Sequence, residues 1–378
     1  MSLPTARRAS AAPVLPTTAQ LADGLRLVPA STDGGDAYLV AEHPLRVLRV
    51  KPVALDLLQQ CAGGRPVAEA VAALPGLSPA GAARFLQRLA DLGMVDLTYP
   101  VTDAALLSVS IVIPVRNRPA AIRACLASLE ALHYPANRVE VIVVDDASTD
   151  ETPAIVERHN GHLPVRLVRQ ENHHGQAACR NIGAQLAHGD ILAFTDSDCL
   201  ADQDWLADLV PAFQDRTVAM VGGAVVPADE DDALQRYEAV RSPLYQGPEP
   251  AAVEPRARIS YLASCNMLVR RDVFLAAGGF APELASGEDV DLVWRLAERG
   301  LHVRYLPKGR IRHDHRDRLG PFLRRRAFYA SSEATLLRRH PENGRRLVVP
   351  LAPIGGLIWA LATVGIGRPW LAPAALLP

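Results

Sequence analysis

The chain has 378 residues, 49% hydrophobic and 21% charged, a globular balance with length for about two to three domains. Its 40 basic and 41 acidic residues leave a net charge of −1, which excludes a general electrostatic pull toward nucleic acid or an anionic membrane. Cys61, Cys125, Cys179, Cys199 and Cys265 are odd in number and free of Cys-x-x-Cys spacing; this excludes a disulfide framework and points to reduced thiols in the cytoplasm.

In residues 1–20, Arg7 and Arg8 are followed by Ala, Pro, Ser and Thr rather than an apolar core, the composition of a disordered tail and not of a signal peptide. Residues 21–100 read as a small α+β domain. Leu25–Val28, Ala37–Val40 and Val47–Val50 predict short strands. Helical periodicity follows at Ala54–Cys61, Val67–Leu74 and Pro79–Leu92, with Ser78 as N-cap and Gly93 as stop. This is a winged-helix-like set, which often binds DNA. Seven basic residues against eight acids across 21–100 lack the basic excess of a phosphate-binding surface, so protein or peptide binding is expected.

Thr98–Leu107, with Pro100, is a linker. From Ser108 strands alternate with helices, the pattern of a parallel α/β sheet. Val109–Pro114, Val139–Val144, Val165–Arg169 and Asp190–Thr195 predict strands; Pro119–Ala131, the stretch from Ser148 or Thr149 to Arg158, and Gln176–Ala187 predict helices. Neither a P-loop nor a dinucleotide glycine fingerprint is present. In residues 331–378, a basic stretch containing Arg338, Arg339, Arg345 and Arg346 precedes 21 uncharged residues from Leu347 to Gly367. That run is long enough to meet a bilayer, with the preceding domain held on the cytoplasmic face. Pro350, Pro353 and the Gly355-Gly356 pair argue against one straight helix.

Three acidic clusters carry the chemistry. Ile191–Phe194 runs an apolar strand into Thr195-Asp196-Ser197-Asp198. Ligands of open α/β sheets bind outside the carboxyl ends of strands, and carboxylates at i, i+2 on extended chain point the same way. Asp196 and Asp198 therefore make a hard oxygen site for Mg²⁺ or Mn²⁺ with substrate phosphates. A calcium loop is excluded because Leu200 and Ala201 stand where an oxygen ligand and a glycine are required. A second pair, Asp145 and Asp146, ends the strand Val141–Val144, where a carboxylate can accept from a ribose hydroxyl or a pyrimidine N–H. In the third, Val290, Val293, Trp294 and Leu296 give a helix face, so Glu288 and Asp289 fall in its first turn. Acids there suit the helix dipole, and at a cleft one of them can be the general base that deprotonates an attacking hydroxyl.

In order along the chain, Ser110–Arg118, Val144–Asp150, Cys179–Ala184, Thr195–Asp198 and Gly287–Asp291 resemble the motifs of family 2 inverting glycosyltransferases, over residues 108 to about 330. The resemblance implies a GT-A fold, a nucleotide-sugar donor and a divalent metal. By position it implies that Pro114, Val115, Arg116 and Asp146 hold uridine with Asp145 as neighbour, and that Arg180 and Asn181 support the diphosphate. Asp196 and Asp198 would contact ribose and metal, with His313 or His315 as a further metal ligand. Asp289 would be the base, beside Glu288. Arg324-Arg325-Arg326-Ala327 replaces the Gln-x-x-Arg-Trp of processive synthases, which argues against long-chain synthesis.

Residues 43–97, with Pro52–Leu58, Gly64–Glu69 and Phe85–Val95, resemble the peptide-binding chaperone domain of pyrroloquinoline-quinone biosynthesis. Joined to a family 2 domain and a hydrophobic tail, the architecture is similar to the glycosyltransferases of mycofactocin biosynthesis. That implies β-linked glucose moved from UDP-glucose onto a peptide-derived redox cofactor, or its precursor peptide, with membrane contact through the tail. A cell-envelope transferase acting on lipid or polysaccharide is the alternative enzyme. A peptide-binding or regulatory protein with an inactive transferase domain is the alternative of another class.

Overall fold

A computed structural model describes residues 15–29, 37–42, 45–98, 106–228, 233–313 and 319–343. The hydrophobic run 347–367 and His315 lie outside the described residues. No helix among the described residues is long and apolar enough to cross a membrane. The described residues up to Arg339 belong to one compact unit.

The chain begins with β1 (Thr18–Leu21), β2 (Leu25–Val28), β3 (Ala37–Glu42) and β4 (Leu45–Val50). Then come α1 (Pro52–Ala62), α2 (Val67–Ala72), α3 (Pro79–Asp91) and β5 (Val95–Thr98). Strands β2, β3 and β4 form an antiparallel sheet, and the Ser78 hydroxyl caps α3 by accepting from the Gly81 N–H at 3.1 Å. Residues 18–20, expected in an unstructured tail, instead belong to β1, which pairs antiparallel with β5. Ala19 is buried in a core with Leu39, Leu57, Leu86 and Leu89, and that burial holds the short polar strand in place.

The main body follows as β6 (Val109–Val115), α4 (Pro119–Leu129), β7 (Val139–Asp145), α5 (Thr152–Glu157), β8 (Val165–Arg169), α6 (Gln176–Leu186) and β9 (Ile191–Phe194). Next are β10 (Cys199–Ala201), α7 (Trp205–Leu209), β11 (Val218–Gly222), β12 (Val225–Pro227), α8 (Ala233–Arg241) and β13 (Ala251–Ala252). Last are β14 (Met267–Arg270), α9 (Arg271–Ala276), α10 (Glu288–Glu298), β15 (His302–Tyr305), β16 (Ile311–His313) and α11 (Leu319–Arg339). Eight strands form one sheet in the order β13-β15-β11-β14-β9-β6-β7-β8.

Strands β9, β6, β7 and β8 are parallel, as the apolar runs Ile191–Phe194, Ile111–Val115 and Val141–Val144 predict for strands covered on both faces; β8, at the edge, is only partly buried. The sheet as a whole is mixed, because β14 runs antiparallel to both β9 and β11. A parallel return needs a crossover of a dozen or more residues, usually a helix. Strand β13, antiparallel to β15, runs in the same direction as β14, and the crossover between them, residues 253–266, carries no α-helix but only the short 3-10 turn Ser264–Asn266. Val109, Ile111 and Ile113 face a layer with Ile122, Leu126 and Trp205, while Val112, Ile142 and Val144 face Cys179, Phe274 and Leu292. The result is a three-layer α/β body. A small second sheet, β10-β16-β12, sets Cys199 opposite His313.

The first module rests on the edge of this body. Helix α3 packs against β13, Asp91 pairs with the buried Arg304 of β15 at 2.8 Å, and Asp96 lies 3.6 Å from Lys308.

Candidate active site

The parallel strands deliver their carboxyl ends to one edge of the sheet, and the loops leaving that edge are laced together. After β6, Asn117 takes a left-handed conformation (φ 49°); its N–H donates to Ser148 Oγ at 2.9 Å, and its Oδ1 accepts from the Thr149 N–H at 2.8 Å. Ala147, also left-handed at φ 58°, turns the loop after β7. Such conformations cost a non-glycine residue energy and persist where neighbours enforce them. Pro114 and Val115 are buried at the end of β6, and Arg116 is exposed beyond them.

The acids at the carboxyl end of β7, Asp145 and the following Asp146, have different surroundings. Asp145 is 1% exposed; Oδ2 accepts from the Ser148 N–H at 3.2 Å, and Oδ1 has no hydrogen-bond partner among the described residues. Asp146 accepts from the His174 N–H (2.7 Å) and the Gly175 N–H (3.0 Å), and its Oδ2 lies 2.6 Å from His173 Nδ1. Burial pushes the Asp146 carboxyl up, but these donors outweigh it and hold it below the usual range. Asp146 thus fastens the loop that enters α6, and Asp145 is the acid with an open oxygen.

Arg180 and Asn181 follow on α6. Asn181 clamps the backbone of Phe280, donating to its carbonyl at 2.8 Å and accepting from its N–H at 2.9 Å. Arg180 is fully buried; Nη2 donates to Asp196 at 2.5 Å and Nη1 to Glu288 at 3.0 Å. The structure therefore unites the first and third acidic clusters through one guanidinium.

Asp196 and Asp198, expected to point the same way, do not share a partner. Residue 196 has already left the strand, and 197–198 form a turn. Asp196 goes to Arg180, whereas Asp198 lies 3.9 Å from His313 Nε2. Asp198, Cys199 and His313 present ligand atoms within 4.8 Å of one another, and Asp196 is not in that group. The set fits a divalent cation. Cys199 is buried, and its hydrogen bond to Cys265, followed by burial, pushes the thiol well up, so the available donors are a carboxylate and an imidazole.

Glu288 and Asp289 occupy the first turn of α10, as the helical period predicts. Gly287 caps the helix at φ 80°, and a Cβ there would stand 2.8 Å from Leu336 Cδ1 of α11. Asp289 Oδ2 accepts from the Ser264 N–H at 3.3 Å and Oδ1 from the Val290 N–H at 2.8 Å. Burial, and then the neighbouring Glu288 charge, push its carboxyl up to about 7, against opposing pulls from those N–H groups and Arg180. A carboxyl with that value can take a proton near neutral pH. Ser264 was not legible as a site residue, since a backbone donor leaves no mark in the side-chain pattern.

The family model "Glycosyl transferase family 2" matches residues 110–276. The pre-mycofactocin glycosyltransferase of Mycobacterium tuberculosis is 35% identical over 338 residues, 88% of this chain and 66% of that protein. The glycosyltransferase AglE of Haloferax volcanii is 30% identical over 200 residues, 52% of this chain and 64% of its own. The chain thus spans about two thirds of the length of these relatives. Among solved structures, the mannosyltransferase PcManGT of Pyrobaculum calidifontis, in complex with GDP-Man and Mn²⁺, superposes with a TM-score of 0.51 at 24% identity, covering 71% of this chain and 73% of that one. The mixed sheet is accordingly of the GT-A type, and through residues 110–276 the chain belongs to glycosyl transferase family 2.

Proposed function

We propose that the protein is a metal-dependent inverting glycosyltransferase that moves glucose from UDP-glucose in β linkage onto a peptide-derived redox cofactor of the mycofactocin type. The observation that carries the reading is the joining of Asp196 and Glu288 through Arg180, with Asp289 poised near neutrality beside Glu288. The similarity to the pre-mycofactocin enzyme along 88% of the chain supports the acceptor class.

In this reading the open Oδ1 of Asp145 and the loop after Val115 receive the nucleoside. Asp198 and His313, with His315 as a further candidate, would hold Mg²⁺ or Mn²⁺, and such an ion supplies charge for a departing diphosphate. Asp289 accepts the proton of the attacking hydroxyl as the new bond forms. Attack from the face opposite the leaving group inverts the anomeric carbon. Residues 21–100 serve as the peptide-binding domain that presents the acceptor, 108–330 as the transferase, and 331–378 as the membrane-associated segment.

The test is incubation of the protein with UDP-glucose, Mn²⁺ and a mycofactocin-type acceptor. Mass spectrometry should show added hexose, and NMR a β-anomeric proton. Absence of transfer across UDP- and GDP-sugars would overturn the reading.

A further inference from the structure

Arg180 sits where a family resemblance implies a contact to the diphosphate, and its environment is unsuited to that task. The side chain is 0% exposed, and both terminal nitrogens are committed to carboxylates from distant parts of the chain. One is Asp196, two residues past the end of β9; the other is Glu288, at the start of α10. The guanidinium stands 5.7 Å from the centroid of Phe280, whose backbone is gripped by Asn181, the next residue along α6. Nε is buried as well, with no partner among the described residues, so no nitrogen faces solvent or an incoming phosphate.

We infer that Arg180 is a positioning residue: its two-armed ion pair locks the turn that carries Asp198 to the helix start that carries Asp289, so that donor site and base keep one geometry. This rests on the proposed transferase reading and assigns Arg180 a role within it. The geometry requires an arginine. A planar guanidinium reaches two carboxylates in fixed directions, whereas an ammonium is one point charge on a flexible stem. Release of either arm frees Glu288 or Asp196 to swing, and small misplacements of reacting groups are costly, up to about 10²-fold for 1 Å.

The experiment measures UDP-glucose hydrolysis with Mn²⁺ for wild type, Arg180→Met, Arg180→Lys, Glu288→Gln and the Arg180→Met/Glu288→Gln double variant, with calorimetry of UDP binding in EDTA. Arg180→Met is expected to lower kcat about 30- to 100-fold with KM within about threefold, and Arg180→Lys to lower kcat at least about tenfold. Because Arg180 acts through Glu288, the double variant should be no more than about threefold worse than Arg180→Met alone. UDP affinity in EDTA should stay within about threefold of wild type.

Three results would each overturn the inference: wild-type turnover in Arg180→Lys, multiplicative losses in the double variant, or UDP binding about tenfold weaker in EDTA for Arg180→Met or Arg180→Lys, which marks a direct diphosphate contact. Arg180→Lys keeps the buried charge, so it reads the inference even if Arg180→Met does not fold. Should wild type turn over no UDP-glucose, the proposed function fails separately. The clamp is then read from melting temperatures of the same variants, where additive shifts would refute it.

Discussion

Asp289→Asn separates a base from an ordinary helix-start acid through a pH-dependent change in stability as well as a loss of rate. The Asp289 carboxyl is raised to about 7 by burial and by Glu288, whereas in the unfolded chain it titrates near the usual value of about 4. Between those values the folded protein keeps a proton that the unfolded chain has released. Wild-type stability therefore falls as pH rises through this window and is greatest, for this group, below it. From pH 5 to 7 the linkage amounts to about 1.4 kcal/mol per pH unit, so on the order of 3 kcal/mol is lost by pH 8. Asn has no such titration, and its carbonyl can still accept from the Ser264 or Val290 N–H. Relative to wild type, Asp289→Asn should thus gain on the order of 3 kcal/mol between pH 5 and pH 8, by urea unfolding at both pH values. Over the same variant, sugar transfer should fall by about 10²–10⁴ with donor affinity near wild type, because the lost interaction belongs to the transition state. A stability difference that does not change with pH would refute the raised carboxyl. Transfer within a few-fold of wild type would refute the base.

Three further outcomes are expected. Asp198→Asn should abolish the tightening of UDP binding by Mn²⁺ in calorimetry, because a neutral amide cannot replace the carboxylate's charge; retained tightening would exclude Asp198 as a ligand. Asp91→Ala should cost about 3 kcal/mol in urea unfolding, since it strands the buried Arg304 beneath the first module, and a loss under about 1 kcal/mol would show that the ion pair does not fasten the module. Gly287→Ala should destabilise by about 1–2 kcal/mol and also slow transfer, because the left-handed φ and the approach to Leu336 force the start of α10 to shift; full activity would show that this helix end tolerates movement.

The sheet was legible where burial is complete and one-dimensional. Each of β6, β7 and β9 contains an apolar run of at least four residues that is fully buried, Ile111–Val115, Val141–Val144 and Ile191–Phe194, so composition alone marks it. Helix α10 was legible because Leu292, Val293 and Leu296 face the core while Arg295 and Glu298 do not. Strand β1 was not, since Thr-Ala-Gln-Leu is held by pairing with residues far along the chain. The antiparallel β14 was hidden for a similar reason: its direction shows only in its pairing with β9 and β11, far from it in the sequence. Among site residues, position was readable and partner was not. Asp146 and Asn181 lie in the expected motifs, yet their side chains are occupied by the backbone of neighbouring segments.

The arrangement around Arg180 gives a physical reason for the elevated Asp289 carboxyl. Three carboxylates, Asp196, Glu288 and Asp289, lie close enough to influence one guanidinium. Two of them each receive a terminal nitrogen, and the guanidinium has no third terminal nitrogen to give. Asp289 is left with two backbone N–H donors and the repulsion of Glu288 beside it, so the cost of its burial is only partly offset. The same ion pairs that tie β9 to α10 therefore leave Asp289 without a guanidinium nitrogen of its own and able to pick up a proton near neutral pH. That division of labour depends on partners separated by many residues in the sequence. It is why the Glu288-Asp289 pair looks symmetrical in the sequence and is unequal in the fold.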